Sequence, residues 1–303
     1  MAELKILCVG ALTLDHIYRL EELPAGPGKF LQLEAVQIAS GMASNAATAA
    51  RRQGIDVSLW ASVGADANGH LLTTEMQREG IDCAYVRRVE RGRSAIATIF
   101  VDMSGERLIV PFYDPVTHAD STGHSIPFEC FGAVLADTRL PGAAEVALRE
   151  ARKLGIPAIL DADVASKATL ERLLPAASHI VASLPACRLV FGATIDAHEA
   201  ARRLQSLYGV FAAVTDGENG TYFRDADDYI SHLPAYRIDA VDTLAGGDVF
   251  HGVFAAHLAQ TNDVRHSLAM ANSAAAIKCL HFGGRLGAPT QSQTLKFMQD
   301  QSQ

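Results

Sequence analysis

A doubly wound, mostly parallel α/β sheet flanked by helices and carrying a small β-sheet is the fold class this sequence predicts. Three observations predict it. Short apolar runs alternate with longer, Ala-rich segments of helical spacing; glycines follow three of those segments; and two stretches in the N-terminal half break the alternation with β character.

Residues 5–10, 57–62, 133–136, 158–160, 179–182 and 211–215 are apolar or nearly so throughout. A strand covered by helices on both faces has no polar side to show, so it reads as a continuous run. Between these runs, residues 43–53, 68–79, 143–154, 197–207 and 247–258 repeat apolar positions at helical spacing. Gly54, Gly80 and Gly155 stand just past three of the helical segments, where a left-handed residue closes a helix without steric cost.

The two exceptions are informative. Residues 13–38 hold Pro24, Gly26, Pro27 and Gly28 and no helical stripe. Residues 85–112 read as successive β segments, with Ser104-Gly105 as a hairpin turn between 99–102 and 107–110. Both are expected in one small sheet projecting from a single domain that spans 1–303. A sheet with one face over a cleft is a natural lid, and lids keep water out of a reaction.

Composition limits the partners. Of 303 residues, 49% are hydrophobic and 20% charged, which suits one large core and argues against disorder or coiled coil. The net charge of −8 offers nucleic acid no cationic face. The longest clean apolar run, 95–101, falls far short of the roughly 18 residues a membrane helix needs. The N-terminal MAELKILCVG reads as a first strand rather than a secretory signal. The five cysteines are widely spaced, with no C-x-x-C, and suit a reducing compartment, so a cytoplasmic location is expected.

The sharpest chemical signal is Asp242-Thr243-Leu244-Ala245-Gly246-Gly247-Asp248-Val249-Phe250-His251-Gly252. Small residues at 245–247 let backbone N–H groups turn inward unobstructed. The helix-forming run that follows puts those groups at a helix N-terminus, where an anion is stabilised. An Asp in the same first turn can face the same point. An anion hole beside a carboxylate base is what phosphate transfer to a hydroxyl needs, although a G-G-D on its own is more often a turn with a capping Asp.

The neighbouring residues change that balance. The stretch resembles the second signature of the ribokinase-like carbohydrate kinases, the PfkB family. Ser40-Gly41-Met42-Ala43-Ser44-Asn45, opening an Ala-rich helix that ends at Gly54, is similar to the first signature. Val9-Gly10-Ala11-Leu12-Thr13-Leu14-Asp15 resembles the opening strand with its downstream Asp, and Thr215-Asp216-Gly217-Glu218-Asn219-Gly220 the nucleotide loop. The resemblance runs along essentially the whole chain in the family's order. It implies an ATP-dependent sugar kinase with Asp248 as base and the backbone of Ala245, Gly246 and Gly247 as anion hole. Asp15, Gly41 and Asn45 would bind the sugar; Thr215, Gly217, Gly220 and Asn272 would bind ATP. Each also has an ordinary structural use: Asp15 could end a strand, Gly41 serve a turn and Asn45 cap a helix. The family's N-x-x-E, which supports Mg2+ and phosphate, is replaced by Ser183-Leu184-Pro185-Ala186, so Mg2+ is expected on ATP but no direct ligand is named. For an activating K+, Asp242 and Gly284 are the candidates. A homodimer through the lid is expected.

Within the family the chain is most similar to sulfofructose kinases and ketohexose kinases, on stretches such as Gly28-Lys29-Phe30, Leu135-Ala136-Asp137-Thr138-Arg139 and Gly283-Gly284-Arg285. Lys29 and Arg139 would then meet an anionic sugar terminus. Pro111 stands where a sulfosugar kinase would carry a polar residue. A neutral-sugar kinase (fructokinase or ribokinase) and a nucleoside kinase are the alternatives inside the family. Outside it stand a sugar-binding protein without catalysis and a dinucleotide oxidoreductase, and the latter lacks its second glycine at Gly10-Ala11-Leu12-Thr13.

Overall fold

The computed structural model describes residues 4–119, 125–225 and 229–301. Among these lie strands β1 (Lys5–Val9), β2 (Thr13–Arg19), β3 (Glu34–Ser40), β4 (Asp56–Gly64), β5 (Asp82–Val89), β6 (Ala95–Val101), β7 (Arg107–Phe112), β8 (Ala133–Ala136), β9 (Ala158–Ala162), β10 (His179–Ser183), β11 (Phe211–Thr215), β12 (Thr221–Arg224) and β13 (Ile230–Leu233). Nine of them form a sheet in the order β13-β12-β11-β10-β9-β8-β1-β4-β5, and β3-β2-β6-β7 form a second. From β5 to β11 every pair in the large sheet is parallel; β12 and β13 close one edge as an antiparallel hairpin.

The helices are α1 (Met42–Arg52), α2 (Ala67–Arg78), α3 (Pro141–Lys153), α4 (Lys167–Leu173), α5 (Leu184–Phe191), α6 (Ala197–Tyr208), α7 (Gly246–Thr261), α8 (Val264–Cys279) and α9 (Gln291–Asp300). They cover both faces of the sheet, and β1 shows why its sequence is unbroken. Ile6 and Cys8 pack into a core with α1, α2, α7 and α8, while Leu7 and Val9 pack into another with α3, α4, α5 and α6. Alternate side chains enter opposite cores, so no position is left for a polar residue. Gly54, Gly80 and Gly155 sit at φ 84°, 77° and 72°, the left-handed closures their positions predict.

One boundary differs from the sequence reading. Residues 85–89 pair with β4 as part of β5 and so belong to the large sheet, not the small one. β5 is an edge strand, and its exposed positions mimic the alternation of a half-buried antiparallel strand. The second stretch of the small sheet starts at Ala95, and its hairpin turns at Gly105 with φ 82°.

The small sheet rests on the rest of the molecule through Ile17, Ile38, Ala97, Ile99 and Val101, which cluster with Leu244 from the segment before α7. Arg107 donates to the Thr243 hydroxyl at 2.6 Å, and that hydroxyl donates to the Gly105 carbonyl at 3.0 Å. The hairpin thus touches the loop that leads into α7. At the root of β3, the fully buried Arg285 donates to the Ala39 carbonyl and pairs with Glu75 of α2 and with Glu79 just past it. No helix among the described residues is long and apolar enough to cross a membrane.

Candidate active site

The carboxyl ends of β1, β8, β9, β10 and β11 form one rim, because those strands are parallel. In open α/β sheets the crevice beyond such a rim, where strand order reverses, is where ligands bind. Here the reversal falls between β1 and β8, and Asp137 stands just past β8. It is buried, and its carboxylate accepts from the backbone N–H of Ala11 (2.8 Å), Ala43 (3.0 Å) and Arg139 (2.7 Å). A side chain at Gly10, which has φ 148°, would stand 2.1 Å from that carboxylate. Helix α1 begins after Gly41, which has no side chain to cap it, so Asp137 caps it from another strand. Gly41 has φ 111°, and an added Cβ would meet the Ala11 carbonyl oxygen at 2.7 Å. The chain's path at 41 therefore requires glycine whatever else the residue does.

Across this crevice lies the N-terminus of α7. Ala245 is held left-handed at φ 61°, uncommon for a residue with a Cβ, and Gly246, Gly247 and Asp248 form the first helical turn. Gly247 is exposed, with open space where a Cβ would be, so a ligand can reach the backbone there. The Asp248 carboxylate accepts from the Asn45 side-chain amide at 2.7 Å. This bond joins α1 to α7, residues 203 apart in sequence. Close helix packing allows it: a methyl on Gly252 would lie 2.1 Å from the Ala46 carbonyl oxygen. The other amide atom, Asn45 Oδ1, is buried and has no partner among the described residues.

Acidic groups crowd the site. Burial first, then the Asp161 carboxylate, push the Asp248 pKa up to about 7, against the Asn45 hydrogen bond that pulls it down. Asp161, at the end of β9, is buried, and burial with Asp163 and Asp137 holds it well above the usual carboxylate range. His251, one turn along α7 from Gly247, places Nδ1 2.7 Å from the Gly247 carbonyl, and Nε2 3.2 Å from the Val181 carbonyl and 3.4 Å from Asp161. Tyr113 is raised to about 12 by burial; Arg139 opposes, while Asp137, Asp15 and Asp248 add to the rise. Those residues from β2, α7 and the β8 rim therefore share one electrostatic neighbourhood.

The remaining expected residues fall at different places. Asp15 on β2 is buried, accepts from the Thr13 hydroxyl at 2.7 Å, and has its pKa raised by burial. Arg139 is half-buried, and its Nε has no hydrogen-bond partner among the described residues. Lys29 lies exposed on the loop between β2 and β3, away from any ion pair among the described residues. Thr215 ends β11. Gly217, at φ 52°, faces open space, whereas a Cβ on Gly220 would strike the Leu233 carbonyl oxygen at 2.2 Å. Gly217 is thus free to face a ligand, while Gly220 is already needed by the β13 crossing. Asn272 donates to the Pro234 carbonyl at 2.9 Å and so ties α8 to the segment after β13.

Comparison with known proteins agrees with this geometry. The pfkB family carbohydrate kinase model matches residues 3–291. The chain belongs to that family. A solved structure from Agrobacterium tumefaciens, described as a candidate ribokinase, superposes with a TM-score of 0.95 at 42% identity, covering 99% of both chains. The ribokinase of Haemophilus influenzae is 26% identical over 96% of this chain and 97% of its own. An ATP-dependent ribose-1-phosphate kinase from Halopiger xanaduensis is 26% identical over 98% of both. This pfkB-family chain is accordingly an ATP-dependent carbohydrate kinase.

The cations expected of such a kinase fit unequally. No group of three or more metal-binding side chains lies among the described residues. With Ser183 and Ala186 in place of Asn and Glu, the carboxylate beside the β10 rim is Asp163, which accepts from the Ser183 hydroxyl at 2.7 Å. Asp163 stands just past β9, tied by that bond to the residue that caps the start of α5. The K+ candidates, Asp242 and Gly284, do not fit a free cation. Gly284 presents its N–H to the Asp242 carboxylate rather than a carbonyl oxygen, and the Lys278 ammonium already lies 3.3 Å from that carboxylate.

Asp137, Asp161, Asp163, His251 and Lys278 are the site residues that sequence reasoning did not single out. Asp137 lies within a stretch that carries the family resemblance, but its role and that of Lys278 depend on partners 36 to 126 residues away.

Proposed function

We propose that this kinase transfers the γ-phosphate of ATP to a hydroxyl of a ketose or an anionic sugar, with Asp248 as general base. The observation that carries the proposal is the Asn45–Asp248 hydrogen bond at the mouth of the 245–248 turn. It aims a carboxylate with a pKa of about 7 at the point faced by the first N–H groups of α7. A base poised near the working pH takes a hydroxyl proton most effectively. The sugar hydroxyl loses its proton to Asp248 Oδ as its oxygen bonds to the γ-phosphorus. The bond from that phosphorus to the β–γ bridging oxygen breaks, and ADP leaves. Backbone N–H groups of Ala245, Gly246 and Gly247 would offset the charge on the transferring phosphoryl. Mg2+ bound with ATP would neutralise phosphate charge, with Asp163 and Asp248 as the carboxylates available to its water shell.

Asp15 and the unpartnered Asn45 Oδ1 are placed to meet sugar hydroxyls, and the small sheet is the lid over them. On the ATP side we assign Thr215, the open backbone at Gly217 and the turn closed by Gly220, with Asn272 as support for the adjoining segment. Arg139 supports an anionic acceptor: the residue is half-buried beside the β8 rim, with its Nε unpartnered among the described residues. The sugar-phosphate substrate named for the Halopiger relative points the same way. A neutral sugar is the second reading. It is favoured by the exposed Lys29 and by Pro111, paired with Ala97, where no polar side chain faces the sugar. A second copy of this chain is the proposed cover for the apolar outer side of the small sheet, where Ile96, Leu108, Val110 and Phe112 are exposed.

A coupled ADP-release screen tests the function. Ribose, ribose 1-phosphate, fructose, fructose phosphates, sulfofructose and nucleosides are compared at matched ATP and Mg2+. Sugar-dependent ADP release with highest kcat/KM on an anionic sugar is expected. Release that is equal with and without any sugar contradicts the proposal.

A further inference from the structure

Lys278 is a fully buried charge that the proposed chemistry does not use. It lies in the last turn of α8, where the helix dipole favours a cation, and its side chain is 0% exposed, as is that of Asp242. Its ammonium donates to the Asp242 backbone carbonyl at 2.6 Å and lies 3.3 Å from Asp242 Oδ2. Asp242 Oδ2 also accepts from the N–H groups of Gly283 and Gly284, each at 3.0 Å, and Oδ1 accepts from the Leu244 N–H at 2.8 Å. The Asp242 carboxylate is therefore fully satisfied.

A monovalent ion binding here would need the same two oxygens that Lys278 already holds. Ammonium and K+ are close in size and charge, so either can bridge a carbonyl and a carboxylate. The opposite wall turns donors, not oxygens, toward this carboxylate. Gly283 and Gly284 adopt φ 99° and 58°, and this left-handed turn points N–H donors at the carboxylate, which repel a free cation.

The position links the ammonium to phosphoryl transfer. Asp242 lies three residues before the strained Ala245. The N–H groups of Val241 and Asp242 both donate to the Cys279 carbonyl, at 2.8 and 3.2 Å, next to Lys278, and Gly246 N–H donates to the Thr243 carbonyl at 3.2 Å. The Lys278–Asp242 contact thus anchors the start of the segment that ends in the anion hole. Burial lowers the Lys278 pKa, and the Asp242 carboxylate is the first group opposing that fall.

We propose that the Lys278 ammonium is a built-in monovalent cation, a positioning residue that orders the 242–248 turn so that this kinase needs no added K+ or Na+. The proposal rests on the reading of that turn as the phosphoryl-transfer site for its effect on turnover, but its structural half can be measured without catalysis.

Wild-type enzyme is compared in KCl, NaCl and tetramethylammonium chloride at matched ionic strength, by sugar-dependent ADP release and by Tm. Neither kcat nor Tm should depend on which cation is present. A kcat or Tm that rises selectively with K+ overturns the proposal. Lys278→Ala, purified and assayed in tetramethylammonium chloride, should lose about 10- to 100-fold in kcat, the worth of a charge-assisted hydrogen bond, with little change in sugar KM. Added K+, NH4+ or methylammonium should restore both kcat and Tm of this variant. A variant that folds and loses kcat but answers to none of these ions contradicts the built-in cation. If Lys278→Ala does not fold, the wild-type comparison decides by itself. If no sugar supports turnover, the proposed function fails, and cation-independent Tm of wild type still supports Lys278.

Discussion

Replacing Asn45 by Ala should move the pH at which this kinase gains activity. The Asn45 amide donates to Asp248 at 2.7 Å, a bond that favours the ionised carboxylate, and Asp248 already sits near 7 because burial and Asp161 oppose ionisation. Hydrogen bonds to charged groups contribute about 1.5–3 kcal/mol. At 1.36 kcal/mol per pKa unit, losing this one should raise the base by roughly one to two units. Below its pKa a general base is protonated and inactive, so the acid limb of kcat/KM moves upward by that amount. At pH 7 the variant should be slower by about 5- to 50-fold from ionisation alone, and part of that loss should return at alkaline pH. Initial rates of ADP release, with sugar well below KM, give the profile directly. A uniform loss with an unmoved acid limb would refute the reasoning, because Asn45 would then contact only the sugar. A wild-type profile with no limb near 7 would refute it as well.

The other perturbations follow the same geometry. Asp248→Asn should stabilise the fold at neutral and alkaline pH. A carboxyl raised from 3.8 to about 7 on folding loses stability as pH climbs through that window, so the Tm advantage of the variant should be absent near pH 4 and level off above 7. The gain is at most roughly 4 kcal/mol at 1.36 kcal/mol per unit, and a variant less stable than wild type at pH 8 contradicts it. Arg139→Ala should raise KM for a sugar phosphate by about 10- to 100-fold while affecting fructose or ribose much less. Equal losses on charged and neutral sugars would make Arg139 a structural cation. Light scattering should show a dimer for the wild type and a monomer for Val110→Glu, which puts a charge on the apolar outer side of the small sheet. A wild-type monomer contradicts that assembly.

Much of this architecture was legible in the chain because the parallel strands are buried on both faces. The runs at 133–136 and 211–215 match β8 and β11 to the residue. Edges were harder to read. β5 carries Arg87 and Arg88 and only one buried side chain, so it resembled the small sheet, and the β12–β13 hairpin is too short to leave a strong period. At the site, Asp248 and Asn45 were readable because their neighbours in sequence, the small residues at 245–247 and the Ala-rich helix after Gly41, constrain what they can do. Asp137, Asp161 and Lys278 were not, because each becomes meaningful only through a partner brought from another strand or helix. Local sequence holds no record of a buried lysine 36 positions from the carbonyl it serves.

The most direct test of Asp248 as the base of a sugar kinase is single-turnover phosphate transfer by Asp248→Asn with the best sugar from the screen. The side chain is nearly isosteric, so calorimetric affinity for sugar and for ATP should stay close to wild type. The transfer rate should fall by at least about 10²-fold, the contribution of a general base. A variant that binds both substrates and transfers phosphate at near wild-type rate would remove Asp248 from the chemistry.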